Sequence, residues 1–213
     1  MSAPARILVL SACLLTGAWT ACRGAIVVHW LDTPLELGGW WNPPTPHSLD
    51  IDGNGTIDFS FWGDVAASVG MRSEGSNRYL IIPDLPPNIG GPVAALDEGF
   101  QIGPESSEGN LDWFNHPTDW ATLMQQLSTG RSGEFWGTRA YIGFEFQIDS
   151  NTHYGWFDFQ GHSSTPYGVV YGWGYESTPG VSIPAGAVAI PEPATIALLA
   201  AGGLLLALHR KHK

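Results

Sequence analysis

Ala140-Tyr141-Ile142-Gly143-Phe144-Glu145-Phe146-Gln147-Ile148-Asp149 alternates with a period of two. Ile142, Phe144, Phe146 and Ile148 fall on one side, and Glu145, Gln147 and Asp149 on the other. That is the pattern of a strand with one buried face. The same reading extends outward. Tyr154 to Gln160 and Gly168 to Glu176 read as strands, the second with Val169, Tyr171, Trp173 and Tyr175 in one stripe. Ser48 to Asp52 and Thr56 to Trp62 also alternate, and Asp52-Gly53-Asn54-Gly55 between them is a strong hairpin signal. Ala25 to Leu31 and Asn77 to Pro83 are further expected strands, while Pro34 to Pro46 and Pro83 to Pro92 read as loops. One short helix is expected: Trp120, Leu123, Met124 and Leu127 recur at helical spacing behind Thr118 or Asp119 as a cap. With 27 glycines and 16 prolines punctuating short apolar runs, the expected fold is all-β, a two-sheet, jelly-roll-like β-sandwich.

The two ends differ from this middle. Met1 to Arg6 carries one basic residue and no acid, and Ile7 to Ala21 is mostly apolar. This reads as a signal peptide over residues 1–24, cut before Ala25. Leu10-Ser11-Ala12-Cys13 has the form of a lipoprotein box, but the apolar stretch before it is short for that use. Both cysteines, Cys13 and Cys22, fall in the leader, so the exported part has no disulfide, thiolate nucleophile or cysteine metal site.

At the other end, Pro191-Glu192-Pro193-Ala194-Thr195 precedes an apolar run from Ile196 to Leu208 and then His209-Arg210-Lys211-His212-Lys213. As a helix, Ala194 to Leu208 spans about 22 Å, short of the ~30 Å hydrocarbon core. The prolines mark its outer edge, and the basic cluster Arg210, Lys211 and Lys213 stays on the cytoplasmic side. Read without a family, this is a plain C-terminal anchor. The layout of proline, carboxylate, proline, short membrane helix and basic end resembles the PEP-CTERM sorting signal of Gram-negative bacteria. That resemblance implies a partner, exosortase, which cuts near Pro191, Glu192 and Pro193. It implies anchoring in the inner membrane before processing, and release afterwards to the cell surface or extracellular matrix. A second resemblance rests on Tyr141-Ile142-Gly143-Phe144-Glu145-Phe146, His153-Tyr154-Gly155-Trp156 and Gly174-Tyr175-Glu176-Ser177-Thr178-Pro179-Gly180. These segments, with Ile183-Pro184-Ala185-Gly186, are similar to the C-terminal half of many PEP-CTERM exported proteins. This second likeness implies a shared β-rich domain and no particular activity.

Between the ends lies one expected domain, residues 25–190, before the sorting segment 191–213. It holds 19 of the 20 acids and only four basic residues, Arg72, Arg78, Arg131 and Arg139, an excess of 15 negative charges with His neutral. Nucleic acid and anionic membrane surfaces are therefore not the expected partners of this domain. Divalent cations and neutral polymers such as exopolysaccharide are compatible with this charge.

The chemistry-bearing stretch is Asp50-Ile51-Asp52-Gly53-Asn54-Gly55-Thr56-Ile57-Asp58. Oxygen ligands stand at positions one (Asp50), three (Asp52), five (Asn54) and nine (Asp58), Thr56 offers a carbonyl at seven, and Gly55 takes six. Calcium wants oxygen ligands in this order. The stretch resembles the DxDxNGxxD loops of dockerin-type and integrin-type calcium sites, but Phe61 replaces the acid at position twelve. The same residues also read as a plain hairpin with its carboxylates in solvent, and the two readings can coexist.

Nine tryptophans lie outside the leader. Trp156 and Trp173 sit on patterned strands and are expected in the core, whereas Trp40 and Trp41, flanked by glycine and proline, are candidates for stacking on a glycan. Histidines are dispersed, and no His-Glu-x-x-His or Gly-x-Ser-x-Gly occurs. No enzyme is expected; Glu134, Glu145 and Asp158 are nominal carboxylates for a glycosidase. The expected function is a structural or interaction role in the envelope or exopolysaccharide matrix, the alternative being a calcium-assisted carbohydrate-binding module.

Overall fold

The computed structural model describes residues 24–38, 46–64, 67–83, 91–107, 109–115 and 120–188. The expected signal peptide up to residue 23, Trp40 and Trp41, and the segment 191–213 with the expected helix and basic cluster lie outside the described residues. Within them the chain is all strand and loop. The strands are β1 (Ile26–Gly38), β2 (His47–Leu49), β3 (Phe59–Gly63), β4 (Ser68–Ser73), β5 (Arg78–Ile81), β6 (Gln101–Ile102) and β7 (Asp112–Phe114). They continue with β8 (Ala121–Leu127), β9 (Gly130–Ser132), β10 (Arg139–Ile148), β11 (Asn151–Gly161), β12 (Tyr167–Glu176) and β13 (Ile183–Pro184). A six-stranded sheet runs β1-β12-β11-β10-β5-β7, and a five-stranded sheet runs β2-β3-β4-β8-β9. A small two-stranded sheet pairs β13 with β6.

The alternation read in β10 sets the sandwich. Ile142, Phe144 and Phe146 are buried between the two large sheets, together with Phe157 and Phe159 of β11. Phe59 and Phe61 of β3 meet them from the facing sheet, with ring centroids 5.1 Å from Phe59 to Phe144 and 5.1 Å from Phe61 to Phe157. Tilted and edge-on contacts of this kind add to simple burial. β10 and β11 form a hairpin through Asp149 (φ 48°) and Ser150 (φ 66°), with Ile148 opposite Asn151. Two positive φ values in a two-residue loop match the right-handed twist of the flanking strands.

The outer face of the six-stranded sheet is also covered, over the part near β5. Leu96 exchanges backbone hydrogen bonds with Tyr141, and a second core gathers Leu80, Leu96, Ile102, Trp113, Trp156 and Ile183. Gly143 is needed here: a Cβ would stand 2.8 Å from Leu80 Cδ1 and 2.9 Å from Leu96 Cδ1. The architecture is thus a sandwich with a thin third layer. Towards Arg139, Gln160, Val169 and Tyr171 that outer face is open, and these residues are exposed or half-buried.

Three expectations are corrected. The short helix through Leu127 is instead strand β8, paired with β4. Its register shifts between Val69, opposite Met124, and Gly70, opposite Thr122, so Leu123 is the extra residue and both Leu123 and Met124 are fully buried. A bulge places consecutive apolar residues inward, which mimics helical spacing in the sequence. Second, Pro34 to Gly38 is not loop but the end of β1. Four residues of β1 stand against Tyr171 between Trp30 and Leu35, so Pro34 falls where the ladder is interrupted and needs no N–H. Third, the hairpin at residues 48–62 pairs only over His47–Leu49 and Phe59–Phe61, leaving Asp50 to Asp58 as a wide loop. Trp156 and Trp173 lie in the cores as expected, 0% and 6% exposed.

Candidate metal centre

The wide loop folds around its own carboxylates. Asp50 Oδ1 accepts the N–H groups of Gly53 (2.8 Å) and Asn54 (3.1 Å), and its Oδ2 accepts that of Gly55 (2.7 Å). Asp52 accepts from the backbone and side-chain amides of Asn54, at 3.1 and 3.0 Å. Asn54 Oδ1 in turn accepts the Thr56 N–H at 2.7 Å. Gly53 (φ 77°) and Gly55 (φ 89°) are left-handed, so the turn needs residues without a Cβ there.

The loop is stapled to the core at both ends. Asp58 N–H reaches back to the Leu49 carbonyl at 2.9 Å, and Ile51 N–H donates to Asp58 Oδ2 at 2.8 Å. Ile51 is buried, and its carbonyl accepts Trp173 Nε1–H at 3.2 Å. Asn77 Nδ2 donates to Asp58 Oδ1 at 3.0 Å, and Asn77 Oδ1 accepts the Gln147 N–H at 3.1 Å. Asp58 is only 4% exposed, so the loop holds one carboxylate inside and two near the surface.

Asp50, Asp52 and Asp58 each place a carboxylate oxygen within 4.8 Å of the others. The described ion pairs, Arg72–Glu74, Arg78–Glu145 and Arg139–Asp158, do not draw on this loop. The two ends of the cluster differ electrostatically. Burial pushes the Asp58 carboxyl up, and the charges of Asp52 and Asp50 add to this against the hydrogen bonds from Ile51 and Asn77. For Asp50 slight burial acts upward, but the N–H groups of Gly55, Gly53 and Asn54 outweigh it and hold the carboxyl low. Each oxygen of Asp52 and Asp58 accepts one described hydrogen bond and Asp50 accepts three in all, so with about four lone-pair sites per carboxylate each still has one to offer a cation. Phe61, at position twelve, is fully buried against Phe157, so that position supplies no ligand.

The structure therefore brings together Asp50, Asp52 and Asp58, with Asn54 and Thr56 exposed on the same loop. Asn77 and Trp173, which anchor it, carry no local signal: one sits 19 residues and the other 122 residues from its partner.

Residues 189–211 match a family model, the PEP-CTERM protein-sorting motif. The chain carries that sorting motif. Pro191, Glu192, Pro193, Arg210 and Lys211 lie within the match and Lys213 just beyond it. A PEP-CTERM motif marks a protein that is exported, held at the membrane before exosortase acts, and then sorted to the surface. No match was found among curated proteins or among solved structures. What the exported domain does thus rests on its own residues. Two of the three nominal glycosidase carboxylates are held in ion pairs. Glu145 pairs with Arg78, Asp158 is held by Arg139 through two bonds of 2.9 and 2.7 Å, and Glu134 is exposed. Asp158 stands opposite Tyr141, four residues along β10 from Glu145. At about 3.3 Å per residue that is roughly 13 Å of strand, beyond the ~5–9.5 Å between glycosidase carboxyls.

Proposed function

We propose that the exported domain is a non-catalytic interaction protein of the exopolysaccharide matrix in a Gram-negative envelope, delivered there by its PEP-CTERM motif. The motif is the observation that carries this reading, since it fixes a destination outside the membrane. The acidic, lysine-free domain suits a neutral or cation-bridged polymer better than an anionic one. The test is fractionation of an exosortase-bearing host expressing the full chain. The domain is expected in the polysaccharide fraction of the wild type and in the inner membrane when exosortase is deleted. Free protein in the medium, with none on the polysaccharide, would refute the matrix role while leaving the sorting intact.

A second reading is favoured by the convergence of Asp50, Asp52 and Asp58: the loop takes calcium, and calcium assists binding to carbohydrate. Calcium that binds only the folded protein stabilises it by about 2.7 kcal/mol at a hundredfold excess over its dissociation constant. Calorimetry of the exported protein should show a melting temperature that rises with calcium, and no rise in Asp50→Ala. An equal rise in that variant would move calcium elsewhere.

A further inference from the structure

The open half of the six-stranded sheet carries a cleft of about 320 Å³ at the β11–β12 end, lined among others by Gln160, His162, Tyr167, Val169 and Tyr171. The strand register builds it. Gln160 is opposite Val169, and the shift after Asp158 leaves Tyr171 as the extra residue of β12. Tyr167, Val169 and Tyr171 are each half-buried, while Gly168 and Val170 between them are buried inward. Two phenol rings are thus presented on one surface. Gly161 forms part of the floor, where a Cβ would stand 1.9 Å from the Phe135 carbonyl oxygen.

The polar groups are held in place. Tyr171 Oη–H donates to Gln160 Oε1 at 2.9 Å, and the Arg139 guanidinium lies 4.3 Å from the Tyr171 ring centroid. Arg139 is itself doubly bonded to Asp158, so the ring is braced by a neutralised pair. His162 Nδ1 accepts the Ser164 N–H at 3.3 Å, which in the neutral ring leaves the proton on Nε2 as a donor. Arg131 fixes the adjoining loop by donating to the Ser163 carbonyl at 2.8 Å and stacking on Trp136 at 4.4 Å.

This set of groups selects its ligand. Aromatic faces, an amide, an imidazole donor and phenol hydroxyls suit a molecule with apolar C–H faces and many hydroxyls. None of the described lining residues is Arg or Lys, the nearby Arg139 is neutralised by Asp158, and Arg131 is spent on the Ser163 carbonyl and the Trp136 ring, so the lining itself offers an anion no ion pair. The volume is at the lower end of the ~300–1,000 Å³ of small-ligand clefts, the scale of one or two sugar rings. We propose that this cleft binds a neutral saccharide, stacked on Tyr171 and Tyr167 and hydrogen-bonded by Gln160 and His162. The inference rests on the matrix reading above and gives it a contact surface. It also separates sugar from calcium. The loop is anchored by Trp173, which points inward from β12, whereas Tyr167, Val169 and Tyr171 line the outer face; Tyr171 is only two residues from Trp173, so the sheet itself stands between the two sites.

The test uses the exported protein and a panel of neutral trisaccharides (cellotriose, maltotriose, mannotriose and N-acetylchitotriose) with tri-galacturonate as the anionic control. Affinity is read by titration calorimetry in calcium and in chelator. At least one neutral sugar should bind, equally in both media, with a roughly tenfold loss in Tyr171→Ala and in Gln160→Ala. Tyr171→Phe, which keeps the ring, should retain most of the affinity, and unchanged thermal melts separate lost contact from lost fold. Binding unaffected by these variants, or preference for the anion, overturns the cleft while the matrix reading stands. Absence of binding to every sugar at millimolar concentration overturns the cleft too. The matrix reading falls separately, if the exported protein also fails to sediment with the host polysaccharide.

Discussion

Asn77→Ala isolates what joins the acidic loop to the rest of the fold. Asn77 is buried, and its side chain makes three hydrogen bonds: Nδ2 to the Asp58 carbonyl (3.2 Å) and to Asp58 Oδ1 (3.0 Å), and Oδ1 from the Gln147 N–H (3.1 Å). Its backbone bonds to Glu74 and Asn115 survive truncation. The variant therefore strands one backbone donor of β10 and one oxygen of a buried carboxylate. An orphaned buried polar group costs about 1–3 kcal/mol, and more when charged. Two together are expected to cost about 3 kcal/mol. At ~2–4 °C per kcal/mol for a domain of this size, the melting temperature falls by about 6–12 °C. Urea unfolding in chelator measures the loss directly, with Asn115→Ala as the control at a less buried site. A loss below about 1 kcal/mol, with the slope of the transition unchanged, would refute the reasoning. It would mean that Asp58 and Gln147 find other partners as soon as Asn77 is gone. On the calcium reading, adding calcium should recover part of the loss, because the cation satisfies the carboxylate oxygen that Asn77 leaves.

Asp58 and Asp50 respond to pH with opposite signs. The Asp58 carboxyl is raised in the folded state, so its contribution is fully present below its unfolded value and is lost as pH rises through its folded one. Asp50 is lowered, so its contribution is present above the ordinary carboxylate range and is lost as pH falls through its folded value. In chelator, the stability of the wild type minus that of Asp58→Asn should therefore decline as pH rises above the ordinary aspartate range of about 4 and level off once Asp58 is ionised in the fold. A flat difference curve would show that Asp58 is not desolvated. Gly155→Ala should cost about 1–3 kcal/mol by overpacking, because the new Cβ would stand 2.3 Å from Phe144 Cζ and 2.6 Å from the Gly174 carbonyl oxygen. A shift of the urea midpoint too small for that range would mean that β11 and β12 can separate without loss.

The strands with clean period-two patterns were legible in the sequence. β10, β11 and β12 stand close to where their alternation put them, but the expected single stripe of Val169, Tyr171, Trp173 and Tyr175 is broken: the bulge at Tyr171 leaves Val169 and Tyr171 on the outer face and Trp173 and Tyr175 on the inner one. Their turn was less legible, because Asp149-Ser150 adopts positive φ without the glycine that usually announces it. β4 went unread because Gly70 and Arg72 interrupt its apolar residues; only the pairing of Phe61 with Met71 and of Ser60 with Arg72 makes it a central strand. Around the candidate metal centre, the spacing of acids and glycines was visible, but not whether Asp58 turns inward. That depends on Asn77 and Gln147, and neither is near it in the sequence. The third layer was hidden for the same reason. β6 and β13 are two residues each and exist only as partners of one another.

Position twelve of the loop ties these levels together. Phe61 pairs opposite His47 and packs its ring against Phe157, so the sandwich itself uses the place where a bidentate acid would stand. On the calcium reading, a cation there has loop oxygens and water only, which puts its affinity in the ~10⁻⁴–10⁻³ M range of extracellular modules. Such a site fills only where calcium is abundant, and the PEP-CTERM motif directs the protein to the surface. The loop does not depend on the ion for its shape. Asp58 already has Ile51 and Asn77, and Asp50 already has three backbone donors. Folding can then rest on the aromatic core, with calcium changing the charge of one edge after export. A saccharide cleft on the opposite face of the sheet would keep its affinity with or without that ion.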